Sequence, residues 1–210
     1  KTTAMKILTG YMMPNFGEAW INEKNALQET LEIRNDIGYL PEHNPLYTQM
    51  YIKEYLEYVA GLYNLGGQTE QRIHEVIELT GLNKEKTKKI STLSKGYRQR
   101  VGLAQAIIHD PGVLILDEPT TGLDPNQIAE IRSLISRLGE EKTVLLSTHI
   151  MQEVEAICDR IIVINNGRIV ADDKVENISS RLEENKQTVQ VEFNREVEED
   201  TLSAIEGVNR

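Results

Sequence analysis

A chain of 210 residues, 40% hydrophobic and 27% charged, is long enough for one large domain and has the balance of a folded globular protein. Its formal net charge of -10 leaves no basic footprint, which argues against a primary nucleic-acid binder. No apolar run approaches the roughly 20 residues of a bilayer crossing, no secretory core opens the sequence, and the single cysteine, Cys158, excludes a disulfide framework.

Residues 1–10, "KTTAMKILTG", read as a helix stopped by Gly10. Residues 11–40 read as short strands and turns around Pro14-Asn15 and Gly17, closing on the strand "IGYL" before Pro41. From Ile52 the apolar residues recur at steps of three and four. Ile52, Tyr55, Leu56, Val59, Leu62 and Tyr63 therefore predict one face of a helix that ends at Gly66-Gly67. Ile73, Val76, Ile77 and Thr80 predict the next helix, with Gly81 as its C-terminal stop. A third starts after Ser94 and breaks at Asp110-Pro111.

Beyond that break the pattern alternates: strand 113–116, helix 126–138, strand 143–147, helix 150–158, then strand 160–164 turning through "NNG" into "RIV". Continuous apolar strands between helices predict a parallel sheet covered on both faces. Cys158, in line with Ile150, Val154 and Ile157, is expected buried and reduced, in keeping with a cytoplasmic setting. Residues 181–187 read as a polar linker and "TVQVEFN" as a half-exposed strand opening a second domain. His43, His74 and His109 lack metal-ligand spacing and are expected at the surface or in packing.

The strand of "VLILDEPTTGLDP" ends in two adjacent acids, Asp117 and Glu118. In open α/β sheets ligands sit beyond the carboxyl ends of the strands, where these acids and, one strand later, His149 of "STH" would fall. Like charges this close resist burial unless a cation offsets them. Asp117 could hold magnesium, leaving Glu118 to orient and deprotonate water; a plain solvated turn is the structural alternative. "KTT" before a helix matches the end of a phosphate-binding loop, without its glycines. In "TLSKGYRQR", Ser94 precedes a helix and Gly96 permits close backbone approach, which suits an anion as well as an ordinary helix cap.

"LSKGYRQR" resembles the LSGGQ-type signature of ABC ATPases, "VLILDEP" their Walker B motif, "TGLDP" their D-loop, "STH" their switch histidine and "IGYLPE" their Q-loop, in the family's order from residue 1 to about 171. The resemblance is nearest to ATP-binding subunits of ABC-2 type exporters, including the gliding-motility-associated branch. It implies an α/β fold: a P-loop NTPase (RecA-like) parallel-sheet core with an inserted α-helical subdomain and the start of a C-terminal accessory domain. Core residues would be 1–45 and 109–182, the helical subdomain 46–108 and the accessory domain 183–210.

By this resemblance the cofactors are ATP and Mg2+, with Lys1, Thr2 and Thr3 ending Walker A. Thr2 and Asp117 would serve magnesium, with Glu118 as general base and His149 as sensor of the γ-phosphate. Ser94 and Gly96 would contact nucleotide held by a second copy, a homodimer that Asp124 would couple. The expected partners are that second copy and an ABC-2 type transmembrane subunit on the cytoplasmic face of the membrane, with no nucleic acid. The tyrosines after Glu42, Tyr47 to Tyr63, fall where the family grips a coupling helix of the membrane subunit, with packing inside the helical subdomain as the other reading, above all for Tyr55 and Tyr63 on the apolar face.

Three departures qualify the match. Glu42 stands where the Q-loop has glutamine, Lys95 and Tyr97 replace signature residues, and the Walker A glycines are missing. The chain is expected to be trimmed inside Walker A and impaired as an ATPase. Two other readings stay open: a soluble ABC ATPase acting on ribosomes or nucleic acid, and a non-catalytic interaction module.

Overall fold

The computed structural model describes residues 1–28 and 30–178. In chain order its elements are α1 (Thr2–Leu8), β1 (Trp20–Ile21), β2 (Lys24–Asn25), α2 (Thr30–Asp36), β3 (Ile37–Leu40), α3 (Ile52–Leu62), α4 (Thr69–Leu79) and α5 (Lys95–Ile107). They continue with β4 (Val113–Asp117), α6 (Pro125–Gly139), β5 (Thr143–Ser147), α7 (Met151–Ile157), β6 (Arg160–Asn165) and β7 (Arg168–Lys174). The linker and strand expected over 181–194, and the accessory domain with them, lie outside the described residues.

The strands β3, β4 and β5 pair in parallel in that order, with Tyr39 opposite Ile115 and Asp117 opposite Ser147. A central parallel strand has no solvent face, which is why β4 reads as unbroken aliphatics. On one face Met5 of α1 and Ile33 of α2 pack with Ile37 and Ile115. On the other, α5 and α6 bury Leu103, Ile107, Ile131 and Leu138 against Leu40, Leu114 and Leu116. Each such side chain contributes about 1.5–3 kcal/mol by leaving water.

Small residues set how closely α5 approaches β3. A Cβ added at Gly38 would lie 2.1 Å from the Ala106 carbonyl oxygen. This contact fixes α5 on the sheet, and with it the position of Ser94 at its start.

Most helix stops follow their local chemistry. Gly10 (φ 65°) and Gly81 (φ 69°) take the left-handed conformation just beyond α1 and α4. The helix from Ile52, α3, differs from expectation: it ends at Leu62, before Gly66-Gly67, because Asn64 (φ 55°) already supplies the left-handed stop. Leu62 is 63% exposed, and Ala60 takes the buried place assigned to it.

Within 11–40 the structure adds a helix, α2, that periodicity does not reveal, since its one deeply buried aliphatic anchor is Ile33. Cys158 does not sit in the helix. It is the half-buried extended residue that caps α7, where the chain leaves for β6. The "NNG" turn is a two-residue hairpin loop in which Asn166 and Gly167 both have positive φ, joining β6 to β7 as an antiparallel pair. No helix among the described residues is long and apolar enough to cross a membrane.

Candidate functional site

At the carboxyl end of β4 the backbone turns abruptly. Glu118 has φ 51°, a conformation that costs a residue with a side chain about 1–2 kcal/mol. Two hydrogen bonds hold it there: its N–H donates to the Ser147 carbonyl oxygen (3.1 Å) and to Ser147 Oγ (3.2 Å). The turn aims the Glu118 side chain inward, leaving it 7% exposed. Its Oε1 accepts from Lys1 Nζ, and its Oε2 accepts from Thr121 Oγ1 (3.1 Å) and lies 2.9 Å from His149 Nδ1.

Burial by itself pushes the Glu118 carboxyl upward. The hydrogen bonds from Lys1, His149 and Thr121 outweigh that, and hold it below the ordinary carboxylate range. Glu118 is therefore an anion at neutral pH with both oxygens oriented. Such a group can take a proton from a neighbouring water.

Asp117 is fully buried. Its Oδ1 accepts a hydrogen bond from Ser147 Oγ, the residue opposite it in the sheet, while Oδ2 is buried without a partner. A buried carboxylate oxygen left unpaired is costly. A hard cation that binds through oxygen removes that cost, and Thr2 offers a hydroxyl in the first turn of α1, which packs on β4. The orphaned oxygen and this donor set fit magnesium.

His149 is 65% exposed and turns its Nδ1 toward Glu118. Its neighbour Thr148 steadies the segment, donating to Glu153 Oε2 (2.8 Å) and accepting from the Ile150 N–H (3.1 Å).

Lys1, Asp117, Glu118 and His149 thus form one connected group, with Thr2 on the helix beside it. Thr3 is exposed, as is Glu42, which makes no ion pair among the described residues. The remaining sequence-predicted residues gather elsewhere. Ser94 is exposed and caps α5, accepting from the Tyr97 N–H (3.4 Å); Asp124 caps α6, accepting from the Gln127 N–H (3.0 Å).

Gly96 is buried beneath Gln127, whose Oε1 would be 2.5 Å from an added Cβ. Lys95 reaches over the next loop, its Nζ 2.1 Å from where a Cβ on Gly122 would stand. The serine turn and the "TGLDP" loop of one chain are therefore packed together. No hydrogen bond or ion pair among the described residues joins Ser94, Gly96 or Asp124 to the acid pair.

Sequence reasoning left Ser147 and Thr121 without roles, although both lie inside the quoted motifs. Register is the signal for Ser147, because the residue opposite a strand-ending Asp is placed to donate to it.

Of the tyrosines, Tyr55 is buried and donates to Gln105 Oε1 (2.5 Å), and Tyr63 stacks on His109 at 3.7 Å between ring centroids. Tyr47, Tyr51 and Tyr58 remain exposed, with the Tyr47 ring 5.4 Å from that of Tyr58.

The family described as "ABC transporter" matches residues 1–121. The ABC transporter ATP-binding protein NatA of Bacillus subtilis (strain 168) is 34% identical over 181 residues, covering 85% of this chain and 74% of NatA. The bacitracin transport ATP-binding protein BcrA of Enterococcus faecalis is 36% identical over 183 residues, covering 86% of this chain and 59% of BcrA. A solved dimeric ATP-binding cassette in a post-hydrolysis state, bound to ADP and Pi, superposes with a TM-score of 0.74 at 26% identity, covering 83% of this chain and 80% of that one. Across eight of the curated relatives it matches, the chain spans 49% to 74% of their lengths.

Proposed function

The chain belongs to the ABC transporter family and has the α/β P-loop fold of its ATP-binding subunits, and from that premise we propose that it is the ATPase subunit of an ABC-2 type exporter. One observation carries the reading. Glu118 is buried, ionised and held by three partners beside Asp117, which keeps a free oxygen. That arrangement supplies a base and an anchor for a cation on one strand end.

Glu118 accepts the proton of the attacking water, and His149, on its Oε2, orients it and faces the γ-phosphate. Lys1 has two claimants. A triphosphate competes with Glu118 for its ammonium, so nucleotide binding withdraws one hydrogen bond from the base and raises its basicity. Asp117 and Thr2 would hold magnesium, which when bound would supply positive charge to offset that on the phosphate oxygens.

Ser94, exposed and apart from the acid pair in its own chain, serves the nucleotide held by a second copy, which Gly96 reaches once the Gln127 side chain above it moves aside, with Thr3 on the phosphates of its own. Asp124 couples the two sites. The dimeric cassette bound to ADP and Pi supports two copies as the working unit. The exposed Tyr47, Tyr51 and Tyr58 suit a groove for a membrane subunit, since tyrosine buries area and keeps a polar tip. We place the protein at the cytoplasmic face of the membrane, in the gliding-motility-associated branch. Glu42 serves the water through acceptance alone, since an ionised carboxylate cannot donate.

The test uses the full-length polypeptide. ATP hydrolysis per molecule should require magnesium and rise with protein concentration, as sites shared by two copies demand, and the protein should copurify with an integral membrane protein. Hydrolysis independent of concentration would remove the shared site. Recovery with ribosomes or nucleic acid in place of a membrane protein would remove the transporter.

A further inference from the structure

Tyr39 has the unusual circumstance of a half-exposed ring with a buried end. Its phenol oxygen is shielded from solvent and has no hydrogen-bond partner. Unpaired buried hydroxyls are rare, and each calls for a reason.

Register supplies the location. Tyr39 in β3 stands opposite Ile115 in β4, and paired residues of a parallel sheet share a face. Asp117, two residues past Ile115, returns to that same face. It is the face on which α1 packs, with Met5 against Ile115 and Tyr39 beside them. Thr2 and Lys1 sit at the start of that helix.

The phenol also senses the carboxylate. Burial raises the Tyr39 hydroxyl, and the negative charge of Asp117 raises it further. Both groups carry the same defect, since Tyr39 Oη and Asp117 Oδ2 are each buried and unpartnered. Two orphaned oxygens on diagonal positions of one sheet face are explained together by something polar that both can touch.

We propose that Tyr39 is a positioning residue of the nucleotide site, its phenol hydrogen-bonding to a water on the divalent cation that Asp117 binds. The inference rests on the nucleotide-site reading above. Magnesium keeps several of its waters when protein-bound, so an outer hydroxyl is a natural partner for one of them. A carboxylate at position 39 would add charge, and an aliphatic residue would leave that water unpaired. A phenol on the neighbouring strand can donate to that water without adding a charge that competes for the metal.

The experiment compares wild type with Tyr39→Phe in the full-length polypeptide, by thermal melting without ligands and by ATP titration in EDTA and in magnesium. Removing an unpartnered hydroxyl should leave the melting temperature and the affinity in EDTA unchanged. The gain in affinity on adding magnesium should shrink by about tenfold, the worth of one hydrogen bond to an ion's shell. A variant that keeps the full magnesium gain while wild type shows it overturns this inference and spares the functional reading. A variant that melts several degrees lower without ligands also overturns it, since the hydroxyl would then have a structural partner. A wild type with no magnesium-dependent gain removes the nucleotide-site reading and this inference with it.

Discussion

Two acids bracket β4, alike in backbone conformation and in the kind of partners that hold them. Asp110 precedes the strand with φ 55° and Glu118 follows it with φ 51°. Each is gripped by a lysine, Lys142 at one end and Lys1 at the other, and by a second nitrogen base, Arg72 or His149. Each titrates below the ordinary carboxylate range: Asp110 through the Lys142 hydrogen bond, and Glu118 because its partners outweigh the cost of burial.

The ends differ in what surrounds them. Asp110 is 67% exposed, and its cations also hold structural partners: Arg72 donates to the Ile107 and Ile108 carbonyls and to Glu75 Oε2, and Lys142 to the carbonyl of Pro111. That end ties α4 to the close of α5 and the entry to β4. Glu118 is buried, with an exposed histidine on one side and, in Asp117 and Tyr39, unsatisfied oxygens close at hand. A lowered pKa and a left-handed acid therefore do not by themselves mark chemistry. Burial at the carboxyl edge of the sheet, beside polar atoms still lacking partners, does.

The sharpest way to break this contrast is to neutralise both acids. Glu118→Gln should keep ATP binding and lower the turnover of hydrolysis by about 10²–10⁴, the worth of a general base. Asp110→Asn, at the other end, should leave turnover within about twofold, since its partners are structural. Steady-state assays on the two variants decide the matter. Equal losses would show that the amino end of β4 also serves the reaction.

Ser147→Ala probes how far the carboxyl end depends on support from the next strand. The change strips the donor from Asp117 Oδ1 and one acceptor from the Glu118 N–H. Partners of metal-binding carboxylates are worth about 10–100-fold in metal affinity. Magnesium titration at fixed ATP should show a loss in that range, smaller than the effect of Glu118→Gln on turnover. An unchanged magnesium midpoint would mean that Asp117 is held by packing alone.

The contrast also explains what the sequence could and could not disclose. Aliphatic runs, helical spacing and the left-handed stops at Gly10 and Gly81 are local, so the sheet strands and most helices were legible. So was the juxtaposition of Asp117, Glu118 and His149, since a parallel sheet brings its strand ends to one edge. α2 was hidden because one anchor, Ile33, does not make a period. The early stop at Asn64 was hidden because glycine is the stronger stop signal nearby. The hold of Lys1 on Glu118, the orphaned oxygens of Tyr39 and Asp117, and the burial of Gly96 under Gln127 depend on contacts between distant segments, which no local pattern encodes.

At the amino end, stability is the quantity to measure. Asp110→Asn keeps a residue that tolerates positive φ but removes the charge that Arg72 and Lys142 share. The ion pairs are exposed on the acid's side, so unfolding should become easier by about 0.5–1 kcal/mol, an effect that added salt should diminish. Denaturant melts at low and high ionic strength measure it. A loss several times larger would mean that the two cations act as a buried clasp.

The smallest expected effect comes from His109, beside that acid. Burial lowers its pKa from 6.5 to about 4; the bond to the Ile37 carbonyl raises it, Arg72 and Lys142 lower it, and Asp110 raises it. The folded protein keeps this imidazole neutral at a pH where the unfolded chain has already taken up a proton. The unfolded state thus binds more protons between pH 6.5 and about 4, so stability falls as pH drops through that window and is fully present above it. Near pH 6 the loss should be roughly a few tenths of a kcal/mol, allowing for the partial exposure of the ring. His109→Gln keeps a donor for Ile37 without a titrating group, so its melting temperature should fall less steeply with acid than that of wild type. Parallel pH profiles would mean that the ring is protonated in both states, and that its stack on Tyr63 has the character of a cation over an aromatic face.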